Sequence, residues 1–322
     1  MPITYGTQST VSALDVALGL HADLDASFFD VKTPDCDWPK VVNGDQIKSD
    51  VNPGATTYAY RSRDSHGTAA FIGQGVVNDI PQVSQSMGLV NVPVYYAAVG
   101  ATISNEDARQ HNFGMGGDLA ADLGAVMRKA SDNLVERSVF YGDAALGFAG
   151  FLNAPGMTVE TAPNGASANS SWSAKTPEEI VADINALLSG IWAESKQVYK
   201  PRTLYLPPLA FAHIATTPMV VNGIALALTV LEYIRDKNVI SAQTGQPLEI
   251  LVIRHLAGAG AGGADRMIAQ DKSPEYQILP FPLPYTLAEP VSVPLGAENY
   301  AEFKFGPYHM RHPAASRAMD GI

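Results

Sequence analysis

The sequence predicts an α+β fold, and three stretches predict it: a long helix-patterned run ending at Tyr141, a strand, helix, helix, strand succession between Thr203 and Leu256, and a closing region of extended, proline-broken chain. In the first, Leu119, Leu123, Val126, Ala130, Leu134 and Tyr141 recur at steps of three, four or seven and share one helical face, while Asp122, Arg128, Lys129, Asp132 and Glu136 fall largely elsewhere. At about 1.5 Å per residue such a helix runs roughly 36 Å, long enough for the spine of a domain. Tyr141-Gly142-Asp143 and the glycine-rich Gly147 to Gly156 then turn the chain; Asn153, Pro155 and Gly156 bring turn chemistry, with nothing that activates a nucleophile or holds a metal.

The elements follow in order. Residues 1–55 mix a short helical pattern (Val11, Leu14, Val16, Leu18) with the turn-rich Thr33 to Asp45, and are expected to form an arm. Alternation predicts a strand from Thr56 to Arg63, a turn at Asp64-Ser65-His66-Gly67 and a second strand from Thr68 to Ile72, the base of a projecting hairpin. Polar, loop-like chain runs from Gly73 to Gly88, and strand pattern resumes from Val90 to Ile103. Ser104 followed by Asp107 is a capping-box pattern for a short helix that Gly114, Gly116 and Gly117 interrupt before the spine. After a serine- and asparagine-rich loop, Thr158 to Lys175, a helix starts with Thr176 as N-cap, Pro177 in its first turn and Glu179 as reciprocal cap, burying Ile180, Ile184, Leu187 and Ile191. A strand at Thr203 to Leu206, helices near Pro208 to Ala215 and Thr229 to Lys237, and a strand at Leu248 to Leu256 complete a second compact region.

Composition narrows the function. With 322 residues, 46% of them hydrophobic, the chain can bury a real core in one large domain or two modest ones. Its longest apolar run, Gly223 to Leu231, is too short to cross a bilayer, and MPITYGTQST lacks the marks of a secretory signal; a protein made and kept in a cytoplasm, with no membrane partner, is expected. Cys36 is the only cysteine, which excludes an internal disulfide and a four-cysteine metal site. Placed between two aspartates, its thiol is expected to have a raised pKa. A net charge of −11 argues against gripping nucleic acid through a broad basic surface.

The order of these features resembles the major capsid protein of tailed bacteriophages, the Hong Kong 97 fold. The resemblance runs from about Thr56 to the C-terminus and rests on VNDIPQV (Val77 to Val83), the spine followed by GFLNAPG, TLYLPPLAFAHIATTPM (Thr203 to Met219) and VLEYIRDKN (Val230 to Asn238). It implies an N-terminal arm at 1–55, an extended E-loop at 56–92 lying over a neighbouring subunit, a peripheral domain from 93–150 and 291–322, and an axial domain at 151–290 around which five or six subunits meet. The implied function is structural: pentamers and hexamers of an icosahedral head assembled in the host cytoplasm and enclosing double-stranded DNA held by weak non-specific contact. Scaffolding and portal proteins, and a decoration protein, are the implied partners. A projecting hairpin exposes unpaired backbone edges that a closed symmetric shell can cover. Some relatives lock the shell through an E-loop lysine, but no lysine lies between Ser49 and Arg128 here. Arg61, Arg63 and Asp64 are the candidate charged contacts across such a seam. An encapsulin-type compartment, which loads protein cargo, is the nearest alternative.

An enzyme is the alternative from a different class. Gly258 to Gly263 satisfies G-x-G-x-x-G, but a dinucleotide site needs a helix N-terminus at the glycines, and Asp265 to Ala269 reads as a strand. His309 and His312, with Asp320 beyond, lie in extended chain where a spacing of three puts side chains on opposite faces. His21, Asp23 and Asp25 read as loop charges, Asp64-Ser65-His66 as a turn and not a triad, and Asp118 with Asp122 as partners of the helix dipole. No cofactor, metal or catalytic residue is expected.

Overall fold

Strict two-residue alternation organises the central sheet. In the strands Thr203–Leu206, Arg266–Gln270 and Ser316–Asp320, the side chains of Leu204, Leu206, Met267, Ala269 and Met319 enter one apolar core, while Tyr205, Ile268 and Ala318 enter a second. The sheet is thus a wall buried on both faces. Its order is Glu249–Val252, Thr203–Leu206, Arg266–Gln270, Ser316–Asp320, Thr158–Thr161, with parallel pairs at its two edges and antiparallel pairs between. Helix Pro177–Glu194 lays Ile180, Ile184, Leu187, Leu188 and Ile191 into the first core. Thr176 Oγ1 accepts from the Glu179 N–H while the Glu179 carboxylate accepts from the Thr176 N–H, as the capping pattern predicts.

The structure, a computed structural model, describes residues 32–69, 81–114, 119–221 and 223–322. The arm pattern at Val11 to Leu18, the cluster His21, Asp23 and Asp25, the Val77 to Ile80 part of VNDIPQV, the residues Gly116 and Gly117, and Asp118 lie outside the described residues. The architecture belongs to the unit Cys36–Ile322. Among the described residues no helix is long and apolar enough to cross a membrane.

The second core is capped by the spine helix, Leu119–Tyr141, and by a sheet centred on Gly296–Phe305. That strand pairs along one edge with Tyr95–Ser104 over its whole length and along the other with Leu283–Leu287 and Val291–Val293. The spine helix lies where its period predicts, yet it is turned. Met127, Ser131, Val135, Val139 and Phe140 are buried, whereas Val126, Leu134 and Tyr141 of the apolar stripe are 60%, 41% and 50% exposed. The Gly142–Asp143 and Phe148–Ala149 strands then form a tight hairpin at the glycine joint. Gly142 has φ 73°, and a Cβ there would run into the Phe148 carbonyl. Gly142→Ala is accordingly expected to cost more than about 1 kcal/mol, read as a lowered urea midpoint.

Several predicted boundaries move. The first hairpin strand continues to His66, so Asp64-Ser65-His66 is strand and not turn, and it pairs with Ser84–Pro93; of the predicted return strand, Thr68 and Ala69 are not strand and Ala70 to Ile72 lie outside the described residues. The run from Val90 to Ile103 is two strands broken at Val94. Leu248 to Leu256 contains only the short strand Glu249–Val252 before a turn of 3₁₀ helix, Arg254–Leu256. The loop Thr158 to Lys175 holds the edge strand Thr158–Thr161 and the 3₁₀ turn Trp172–Ala174.

Candidate assembly surfaces

The hairpin pairs Thr57–His66 with Ser84–Pro93 in unbroken antiparallel register. Directly opposed residues project to the same face. Arg61 opposite Leu89 and Arg63 opposite Met87 therefore share one face, and Tyr58, Tyr60, Ser62, Asp64 and His66 take the other. At the base this second face is seated on the body. Tyr60 Oη lies 2.9 Å from His309 Nε2, Arg311 donates to Tyr58 Oη at 2.8 Å, and the Arg311 guanidinium sits 4.8 Å above the Tyr60 ring. Burial, and then the Arg311 charge, hold the His309 pKa below its ordinary value, which favours the neutral ring at this contact. The first face is open, with Leu89 63% and Met87 70% exposed. The structure brings Arg61 and Arg63 together but places Asp64 on the opposite face, 3.4 Å from His66.

Sequence reasoning missed a polar hub on the spine helix. Glu136, on the buried side of the spine, accepts from the Asp37 N–H (3.2 Å), Arg254 (2.6 Å) and His255 Nε2 (2.6 Å), all on Oε1. Its partners are about a hundred residues away in sequence on either side, so no local pattern could show it. Burial alone would raise its pKa; hydrogen bonds from His255, Cys36 and the Asp37 N–H, and the Arg254 charge, hold it below the ordinary glutamate value. Cys36 pays the opposite way: burial first, then Glu136 and Asp132, push its thiol up to about 12. The raised pKa matches expectation, although the neighbouring aspartates are not its cause. Asp37, Glu136 and His255 bring ligand atoms within 4.8 Å of one another, a donor set a divalent cation could use. Here the Arg254 guanidinium supplies the positive charge, so the cluster is a satisfied ionic joint.

The other sequence signals do not converge on chemistry. In the Gly258 to Gly263 loop the Gly258 N–H is bound by the Asp265 carboxylate and the Ala261 N–H by Asp320, so donors that a pyrophosphate would need are already bound by carboxylates. A strand, Arg266–Gln270, follows the loop, not a helix. His309 meets Tyr60, His312 meets Tyr199, and Asp320 pairs with Arg266 at 2.5 Å. Asp122 lies 3.4 Å from His111 near the start of the spine. A cleft of about 800 Å³ is lined by Lys200, Arg202, Arg235, Lys272, Glu249 and Asp271. Its carboxylates are engaged by Thr203 and by Ser273 with the Lys200 N–H, and neither histidine nor cysteine is among its described lining residues.

A hairpin with an open amphipathic face, a spine helix with an exposed apolar stripe and polar clusters that are internally satisfied define a structural subunit shaped to meet other subunits. The profile of the major capsid protein family matches residues 67–322, and the chain belongs to that family. Its fold is of the Hong Kong 97 type. A chain from the capsid of Myoviridae phage XM1 superposes with a TM-score of 0.78 over 95% of this chain and 98% of that one, at 14% identity. A protein of Microbacterium phage Oxtober96 gives 0.59 over 97% and 99% at 13% identity, and the capsid of an empty GTA particle gives 0.58 over 96% and 98%, also at 13%. No curated protein matches. The chain is therefore a capsid component of a virion or virion-like particle and not an enzyme.

Proposed function

We propose that the chain forms pentamers and hexamers of an icosahedral head around double-stranded DNA, assembled in the host cytoplasm. The observation that carries this reading is the hairpin. Its outer half touches solvent on both faces, and two strands alone are marginal in water. A neighbouring copy would cover it, which supports assigning residues 56–92 as the E-loop, 93–150 with 291–322 as the peripheral domain, 151–290 as the axial domain and 1–55 as the arm. Without a lysine between Ser49 and Arg128, the seams would hold by burial, at roughly 25 cal/mol per Å² of apolar area over many contacts. A scaffolding protein would guide the first shell, a portal would admit DNA, a decoration protein could bind outside, and the hairpin and spine would reorient as the shell expands.

The test shortens the hairpin at a register pair. Joining Arg63 to Met87 through Asn-Gly replaces the outer half with a two-residue turn that suits antiparallel strands. The variant is expected to fold, with an unchanged circular dichroism spectrum, and to give no closed particles by negative-stain electron microscopy. Normal shells from it would remove the E-loop assignment.

A further inference from the structure

We propose that the arginine face of one copy's hairpin docks on the outer face of a second copy's peripheral sheet, where Glu298 and Glu302 receive Arg61 and Arg63. The inference rests on the shell reading above and names the surface that reading leaves open.

Register defines the receiving face. Along the pair of Gly296–Phe305 with Tyr95–Ser104, Glu302 opposes Ala98, Tyr300 opposes Gly100 and Glu298 opposes Thr102, so these six positions share one face. The reverse face, with Phe303, Ala301 and Val99, turns toward the spine helix. On the outer face Tyr96 is 61% and Tyr300 44% exposed. The Tyr300 ring lies over Gly100, where a Cβ would come within 2.8 Å of it, and the small, exposed Ala98 sits between Tyr96 and Gly100 along the strand. Tyr96 Oη donates to Glu302 Oε2 at 2.7 Å, and Tyr300 Oη donates to Glu298 Oε2. Among the described residues only Oε2 of each carboxylate accepts a hydrogen bond, leaving Oε1 of both without a donor. The only cation across this pair, Lys304, has its ammonium on the Pro53 carbonyl.

The hairpin face is the complement of this strip. Among the described residues no carboxylate pairs with Arg61 or Arg63, and Leu89 and Met87 lie opposite them. Guanidinium is the cation best suited to both parts of the strip: it forms forked hydrogen bonds to carboxylates and stacks on aromatic faces. Leu89 and Met87 would cover Ala98 and the exposed Tyr96 and Tyr300 rings, taking apolar surface out of water. In a chain of net charge −11, an unpaired cationic face and an unpaired acidic face give two copies a favourable register as well as contact area.

Charge exchange in the full-length chain tests the pairing. Arg61→Glu with Arg63→Glu should keep the wild-type melting temperature, since both residues are exposed, and reduce the yield of closed particles at least tenfold by size exclusion and negative stain. Glu298→Arg with Glu302→Arg should do the same, and the four substitutions together should restore particles. In a Cys36→Ser background, Leu89→Cys with Ala98→Cys should give a ladder of disulfide-linked chains under oxidation only when particles form. Undiminished particles from the arginine variant, failure of the four-fold exchange to restore them, or no ladder from intact particles would each overturn the pairing while leaving the shell reading in place. A wild-type chain that forms neither rings nor shells would overturn both.

Discussion

Lys175→Met is expected to destabilise the chain by about 3–5 kcal/mol, the cost of breaking a buried ion pair from one side. Lys175 Nζ lies 2.5 Å from Asp183 Oδ2, and the two side chains are 1% and 3% exposed. Trp172 Nε1 donates to the same oxygen at 3.1 Å, so this one carboxylate fastens the loop before helix Pro177–Glu194 onto the helix itself. Removing the ammonium leaves an anion in an apolar pocket with a single indole donor. Burial already raises the Asp183 pKa, with Lys175 and Trp172 opposing it. The sign of the pH dependence follows. A carboxyl whose folded pKa lies above its unfolded value contributes stability on the acid side that is lost as pH rises through the folded value. The deficit of the variant should therefore shrink on acidification, as Asp183 takes a proton. Adding Asp183→Leu should recover most of the loss at neutral pH, short of wild type because Trp172 loses its acceptor. Urea unfolding checks all three, and a wild-type midpoint for Lys175→Met would sink the account.

What could be read from the sequence was whatever depends on a chain's own neighbours. The spine's period, the Thr176 capping box and the strands at Thr203 and Arg266 all stand where local pattern puts them. The hairpin's return strand was invisible for a physical reason: Ser84 to Leu89 are exposed on both faces, so no apolar alternation marks them. The orientation of the spine failed for a related one. Period alone cannot say which face of a helix its neighbours cover, and Val126 and Leu134 of the apolar stripe stay exposed while Ser131 and Glu136 are buried. The arginine face was partly legible. Parity in a strand separates Arg61 and Arg63 from Asp64, but only once the strand is known to run on past Asp64. The Glu136 hub was not legible at all, because its donors come from three distant segments.

That hub carries the other large effect. Glu136→Ala is expected to cost about 3 kcal/mol, the lower end of the range for breaking a buried pair, because Arg254 is a third exposed and water can reach it. The loss differs from an ordinary cavity in what it disconnects. Glu136 ties the segment at Asp37 and the turn at Arg254 and His255 to the spine helix, and Tyr141 Oη, 3.2 Å from His255 Nδ1, holds the ring from the other side. Faster amide exchange is thus expected around Trp38–Val41 and Arg254–Leu256, with little change in helix Pro177–Glu194. The hub's own carboxylate has a folded pKa below its unfolded value, so its contribution is present above the unfolded value and is lost as pH falls through the folded one. Glu136→Gln, which keeps the shape and removes the charge, should flatten the acid limb of the stability profile relative to wild type. An acid limb that stays as steep in Glu136→Gln would place the titrating charge elsewhere.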